Sequence, residues 1–200
     1  MPLYEQELDT QLMLRVRSDN ERAFGELHAR YQRKLLAFFY GMSKNTQTAN
    51  DLCQETFLRV WKVRRRYRAS GPFGGYLFGI ARMIWLESCR SEQRVWRLGQ
   101  RVSEEESTAR VIAPGFQPDR QAERGELEQR LFDALEALPE EQRMVFVMRS
   151  IEGLSLEEIA SALDCPLNTV RSRRILAVKR LRHLLASVYE AWFPHIYQDS

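Results

Sequence analysis

Two hundred residues with 44% hydrophobic and 28% charged side chains suit one mid-sized globular domain or two small ones, and exclude a disordered or fibrous chain. No apolar run approaches the ~20 residues of a membrane span, and MPLYEQELDTQLMLR lacks a basic start followed by an apolar stretch, so a cytoplasmic protein without membrane insertion is expected. The net charge of +3 hides a segregation: residues 59–101 hold 11 basic and 2 acidic side chains, residues 165–186 hold 6 and none, and residues 131–164 hold 2 and 8.

Residues 5–98 are helix-patterned apart from the loop SGPFGG at 70–75. Ala23, Phe24, Leu27, Tyr31, Leu35 and Phe38 recur near i, i+4, i+7 and give one apolar helix face. A turn follows at Lys44-Asn45-Thr46. The next helix, about 48–64, places Leu52, Thr56, Val60 and Val63 on a core-like face. Asp51, Glu55, Leu58 and Lys62 share another face, flanked by Gln54 and Trp61. The helix predicted over about 73–96 is rich in aromatics: Phe73, Tyr76, Phe78, Trp85 and Trp96. Residues 103–120, with two prolines, a glycine and a charge run, read as a linker.

Helical patterning resumes at 123. Leu131, Leu135 and Leu138 precede Pro139, which suits the first turn of a helix over 139–150. Gly153 is a natural residue just past a helix end, and Ser155 with Glu158 forms a capping box opening a helix over 155–163. Leu156, Ile159, Ala160 and Leu163 line one face of it. After a tight break at 164–167, a helix over 168–187 carries the stripe Val170, Ala177, Leu181, Leu184 or Leu185, and Val188. With no sustained strand alternation and no internal repeat, the chain reads as all-α: two small helical domains on a flexible tether.

Two short helices separated by a three-to-four-residue break, with small Ala160 midway in the first, form a helix-turn-helix pattern. The second helix carries Arg171, Arg173, Arg174, Lys179, Arg180 and Arg182 with no acid, as suits a helix in the major groove. An ordinary hairpin with a solvated basic face is the plainer alternative, and the acidic helix before it weighs against that. In the first half, Arg64, Arg65, Arg66 and Arg68 surround Tyr67 before the aromatic glycine loop. Arginines interleaved with rings suit single-stranded nucleic acid, and equally a core of aromatics beside a solubilising arginine run. Cys53, Cys89, Cys165, His28, His183 and His195 show no ligand spacing, so neither a disulfide framework nor a metal site is expected. No nucleophile–base set, paired carboxylate or Walker lysine stands out; no cofactor and no enzyme are expected.

AFGELHARYQRKLLAFFYG, DLCQETFLRVWK and YRASGPFGGYLFGIAR together resemble region 2 of a bacterial sigma factor, and LEALPEEQRMVFVMRSIEGLSLEEIASALDCPLNTVRSRRILAVKRLR resembles region 4. A short linker with no region 3 is the layout of the extracytoplasmic-function (ECF) group. The resemblance implies a region 2-like domain over 1–100, a linker over 101–122, a region 4-like domain over 123–188 and an aromatic tail over 189–200. It implies an alternative sigma factor that binds core RNA polymerase through Asp51, Gln54, Glu55, Leu58 and Trp61. Arg65, Arg66, Tyr67, Arg68, Ser70, Phe73, Tyr76, Arg82 and Met83 would read and melt the −10 element as a single strand. Arg149, Glu157, Asn168, Thr169, Arg171, Ser172, Arg173 and Ile175 would contact the −35 duplex. An anti-sigma factor that masks both domains is a further implied partner. Met83 stands where many members carry Asn, and Arg174 where an apolar residue is usual. A DNA-binding regulator acting without polymerase is the competing reading; it leaves the DLCQETFLRVW helix without a purpose.

Overall fold

The computed structural model describes residues 8–97, 121–151 and 153–192. The linker at 103–120 and the tail beyond 192 lie outside the described residues. The chain folds as α1 (Asp9–Arg17), α2 (Glu21–Ser43), α3 (Thr46–Val63), a 3-10 turn (Arg64–Arg66) and α4 (Phe73–Arg97). The second half supplies α5 (Gln121–Glu136), α6 (Glu140–Phe146), a π turn (Val147–Ile151), α7 (Leu156–Leu163) and α8 (Leu167–Trp192). None of these helices is long and apolar enough to cross a membrane.

Local chemistry explains the boundaries. Lys44 ends α2 in the left-handed region, and the Asn45 side chain accepts the Thr48 N–H at 2.9 Å to open α3. Asn20 does the same for α2 through the Ala23 N–H, after Asp19 at φ 65°. That break divides a stretch expected to run as helix without interruption. Ser155 and Glu158 form the expected reciprocal capping box, and Gly153 takes φ +71°. The helix expected over 139–150 remains regular only to Phe146 and then widens into the π turn. Asn45→Ala is expected to cost ~1 kcal/mol, because an orphan N–H at the start of α3 loses its acceptor. Urea denaturation checks it, with a lower midpoint and an unchanged slope.

One apolar cluster joins both halves: Leu12, Met13 and Val16 of α1, Leu35, Phe38 and Phe39 of α2, and Phe73, Leu77, Phe78 and Ile84 of α4 meet Met144, Met148, Ile159, Leu163 and Val170. A smaller cluster of Leu135, Leu138, Ala177 and Leu181 holds α5 on α8. The two helical domains expected from the sequence are present, and they share a core across the contact of α4 with α7. The reason lies in α4. Its apolar and small residues wrap more than one side, and a bundle of α1–α3 buries only part of them. Leu185, not Leu184, packs toward the smaller cluster; Leu184 stays exposed.

Polar ties cross the same seam. The Trp85 indole N–H donates to Glu140 Oε1 at 2.6 Å. Lys44 Nζ donates to Asp133 at 2.8 Å and Glu136 at 2.6 Å. Partial burial opposes the Lys44 charge, but the two carboxylates prevail and raise its pKa, while the Asp133 carboxyl is held below its usual 3.8 by Lys44. The Lys44–Asp133 pair thus persists down to that pH and weakens only below it.

Candidate functional site

Three groups of side chains stand out, and the first lies between α2 and α3. The α3 core stripe is Ala49, Cys53, Thr56, Phe57 and Val60, all buried, which turns Asp51, Gln54 and Leu58 outward. Leu58 is 53% exposed. Gln54, Leu58 and Trp61 line a groove of about 540 Å³ with Glu21, Phe24, His28 and Phe57. The Trp61 ring is half-buried: it packs on Phe24 at 5.0 Å, and the Arg64 guanidinium lies 4.1 Å from its centroid. Trp61 is therefore a groove wall rather than a free ring. Asp51 and Glu55 lie beside the groove, paired within α3 to Gln47 and Arg59. Phe24 was expected only as part of an apolar core face, and His28 and Phe57 were not expected at the groove, because a wall shared by α2 and α3 has no signature within either helix alone.

The second group spans the turn after α3 and the first half of α4. Arg65, Arg66, Arg68 and Ser70 are exposed, as is Met83. Asp19 ties Arg64 at 2.6 Å and Arg65 at 2.9 Å, and these guanidiniums lower the Asp19 pKa. Tyr67 and Phe73, read from the sequence as candidates for single-strand contact, are each only 2% exposed. Their rings form a cluster with Tyr31 and Tyr76: Tyr67–Tyr76 centroids are 4.9 Å apart and Tyr31–Phe73 5.2 Å. Burial raises the Tyr67 and Tyr76 phenols. In this conformation Tyr67 and Phe73 are core, and cannot accept a base; Tyr76 is half-buried. The arginine run remains outside, so the rings follow the core alternative while the guanidiniums stay on the surface.

The third group is the helix-turn-helix. Val170, Ala177 and Leu181 face inward, so Asn168, Arg171, Ser172 and Ile175 share one outward face across the first two turns of α8. Arg171 Nη1 donates to Asn168 Oδ1 at 3.2 Å, and Ile175 is 66% exposed. Glu157 on α7 is also exposed and Thr169 is half-buried. Two expected contacts point elsewhere. Arg173 turns back to Glu141 and approaches Cys165 Sγ at 3.6 Å. Arg149 donates to the Leu154 carbonyl at 2.8 Å and ties the π turn to the start of α7. Lower on α8, Leu176 and Leu184 border a groove of about 420 Å³ with Ala137, Lys179, Arg180 and His183, a feature with no signature in the sequence.

Among the described residues, no three His, Cys, Asp or Glu gather as a metal site. Cys53 is buried, and burial pushes its thiol up to about 11.

The sigma-70 region 2 model matches residues 27–95, and the sigma-70 region 4 model matches residues 128–181. The chain is 30% identical over 177 residues to the RNA polymerase sigma-H factor of Pseudomonas aeruginosa, covering 84% of this chain and 89% of that protein. It is 30% identical over 181 residues to the ECF RNA polymerase sigma-E factor of Escherichia coli, covering 84% and 90%. Among solved structures it is similar to CnrH in complex with the cytosolic domain of CnrY, with TM-score 0.66, 25% identity, and 90% and 97% of the two chains covered. It is similar also to the sigma factor RpoE in complex with the anti-sigma factor NepR from Bartonella quintana, with TM-score 0.67, 25% identity, and 82% and 96% covered.

Proposed function

This chain belongs to the sigma-70 family, in its extracytoplasmic-function group, and on that premise, as an alternative sigma factor for promoter recognition, we propose how its surfaces divide the work of initiation. The α2–α3 groove and the adjoining Asp51, Gln54 and Glu55 take a helical element of core polymerase. An apolar trough flanked by acids and amides, with Leu58 at its lip, is a hot-spot arrangement. The exposed arginines of the 64–72 turn follow the phosphates of the opened −10 strand, with Met83 at the base-facing side of α4. The chain acts as a non-catalytic initiation subunit: its contribution is binding and trapping unpaired bases. By likeness to the CnrH and RpoE complexes, it also takes an anti-sigma partner.

The observation that carries the −35 assignment is the outward quartet Asn168, Arg171, Ser172 and Ile175 at the start of α8. Asn and Arg donate to base edges, and an exposed isoleucine suits a thymine methyl. Arg171→Ala is expected to cost ~1–3 kcal/mol and to relax preference at one base position. Arg182→Ala, at an exposed position lower on the helix, is expected to weaken all promoters alike and flatten the salt dependence. Fluorescence anisotropy of holoenzyme on a set of single-base −35 variants separates the two. A uniform loss from Arg171→Ala opposes the assignment.

A further inference from the structure

The corner between α1 and α2 and the turn after α3 meet at one carboxylate. Asp19 stands there at φ 65°, its N–H bonded to the carbonyl of buried Val16 at 2.9 Å, so the end of α1 fixes its place. Its Oδ1 accepts from Arg64 Nε at 2.6 Å and its Oδ2 from Arg65 Nη2 at 2.9 Å. The two pairs differ in burial: the Arg65 side chain is 74% exposed and that of Arg64 only 18%. An ion pair to a long, hydrated side chain contributes little, so Asp19 matters chiefly for Arg64.

Arg64 has two further partners, and both belong to Trp61. Its Nη1 donates to the Trp61 carbonyl at 2.6 Å, and its guanidinium lies 4.1 Å from the centroid of the indole. A planar cation with donors in a fixed fork can do all of this at once: pair a carboxylate, satisfy a carbonyl in the last turn of α3, and stack on a ring. Phe24 packs on the same ring at 5.0 Å. Trp61 is thus held by an aromatic contact from α2 and by a cationic contact anchored, through Asp19, at the α1–α2 corner. That ring lines the α2–α3 groove. The sequence shows Arg64, Arg65, Arg66 and Arg68 as one run, whereas the fold commits the first to its own interior and leaves the other three exposed.

We propose that Asp19 and Arg64 are positioning residues for the polymerase groove: Asp19 holds the Arg64 guanidinium against Trp61, and the pair fixes the indole as a preformed wall for the helical element the groove receives. A wall already in place spares the ordering of a large side chain on binding, which is worth about 3- to 10-fold in affinity. With its Nε and Nη1 bonded within the chain, Arg64 stands outside the set of arginines that follows the −10 strand.

The inference rests on the reading of this groove as the polymerase site, and its test separates the two. The full chain is labelled with 5-fluorotryptophan, and the Trp61 fluorine resonance is assigned with Trp61→Phe. Asp19→Asn and Arg64→Gln are each expected to shift or broaden that resonance and to leave the lines of the other tryptophans in place. Each is expected to weaken binding to core polymerase about 3- to 10-fold, and the double variant no more than the weaker single one, because all three break the same contact. Holoenzyme at saturating core polymerase is then titrated with a single-stranded −10 oligonucleotide over a range of salt. Arg64→Gln is expected to keep the wild-type slope, whereas Arg66→Gln lowers its magnitude by about 0.7. An unmoved Trp61 line, unchanged core affinity in both single variants, multiplicative losses in the double variant, or a slope lowered by Arg64→Gln overturns the proposal. If Leu58→Glu binds core polymerase as wild type does, the groove reading fails and the polymerase role of Asp19 and Arg64 falls with it, while the Trp61 line still decides whether they hold the ring.

Discussion

Phe73→Ala is expected to lower global stability by about 3–5 kcal/mol, as removal of a fully buried aromatic ring does. Phe73 is 2% exposed and lies at the start of α4 among Tyr31, Tyr67 and Tyr76. Tyr31 in turn donates to Asp9 at 2.6 Å, which links this ring cluster to α1, and burial together with that bond raises its pKa. Deleting the ring leaves a cavity in the shared cluster, beside Tyr31 and Tyr67 at the start of α4. Every function of the chain then weakens together in proportion to the folded fraction. Chemical denaturation measures the loss directly. An unchanged midpoint with selective failure to open the −10 element would instead return Phe73 to the role of a stacking platform. Arg68→Ala is the matching control: its exposed guanidinium is expected to affect strand capture with little change in stability.

Leu58→Glu is expected to weaken binding to core polymerase by about 2–4 kcal/mol, or roughly 30- to 1000-fold. Leu58 is 53% exposed at the lip of a groove whose floor is apolar. The substitution costs the free chain little, since the leucine is already half in water. In the complex it places a carboxylate against desolvated apolar surface, on a groove lining that already holds Glu21. Titration of labelled core polymerase with wild type and variant gives the ratio, and circular dichroism confirms an unchanged fold. Equal affinities would place the polymerase contact elsewhere on the chain.

What the sequence revealed and what it concealed follow a physical division. Caps and breaks depend on a few neighbouring residues, so the Ser155–Glu158 box, the Gly153 turn and the Lys44–Asn45 corner could all be read in one dimension. The exposed quartet at 168, 171, 172 and 175 follows from helical period once Val170 and Ala177 are placed inside. The seam between α4 and α7 depends on packing between residues some eighty positions apart, and glycines in a helix signal it only weakly. Tyr67 and Phe73 beside an arginine run have the same sequence signature whether the rings face the core or a base. The acidic block at 131–164 shows in the sequence only as charge, whereas in the fold Glu140, Glu141 and Asp133 are tied to Trp85, Arg173 and Lys44. The one missed local signal was Asp19-Asn20, a left-handed residue followed by a cap, which divides α1 from α2.

In vitro transcription with purified core polymerase on a promoter library tests the division of surfaces most directly. Starts are expected only when this chain is added, from templates sharing one −35 and one −10 sequence, with Arg171→Ala altering the −35 preference alone and Met83→Asn altering the −10 preference alone. A −35 preference untouched by Arg171→Ala and a −10 preference untouched by Met83→Asn would contradict it.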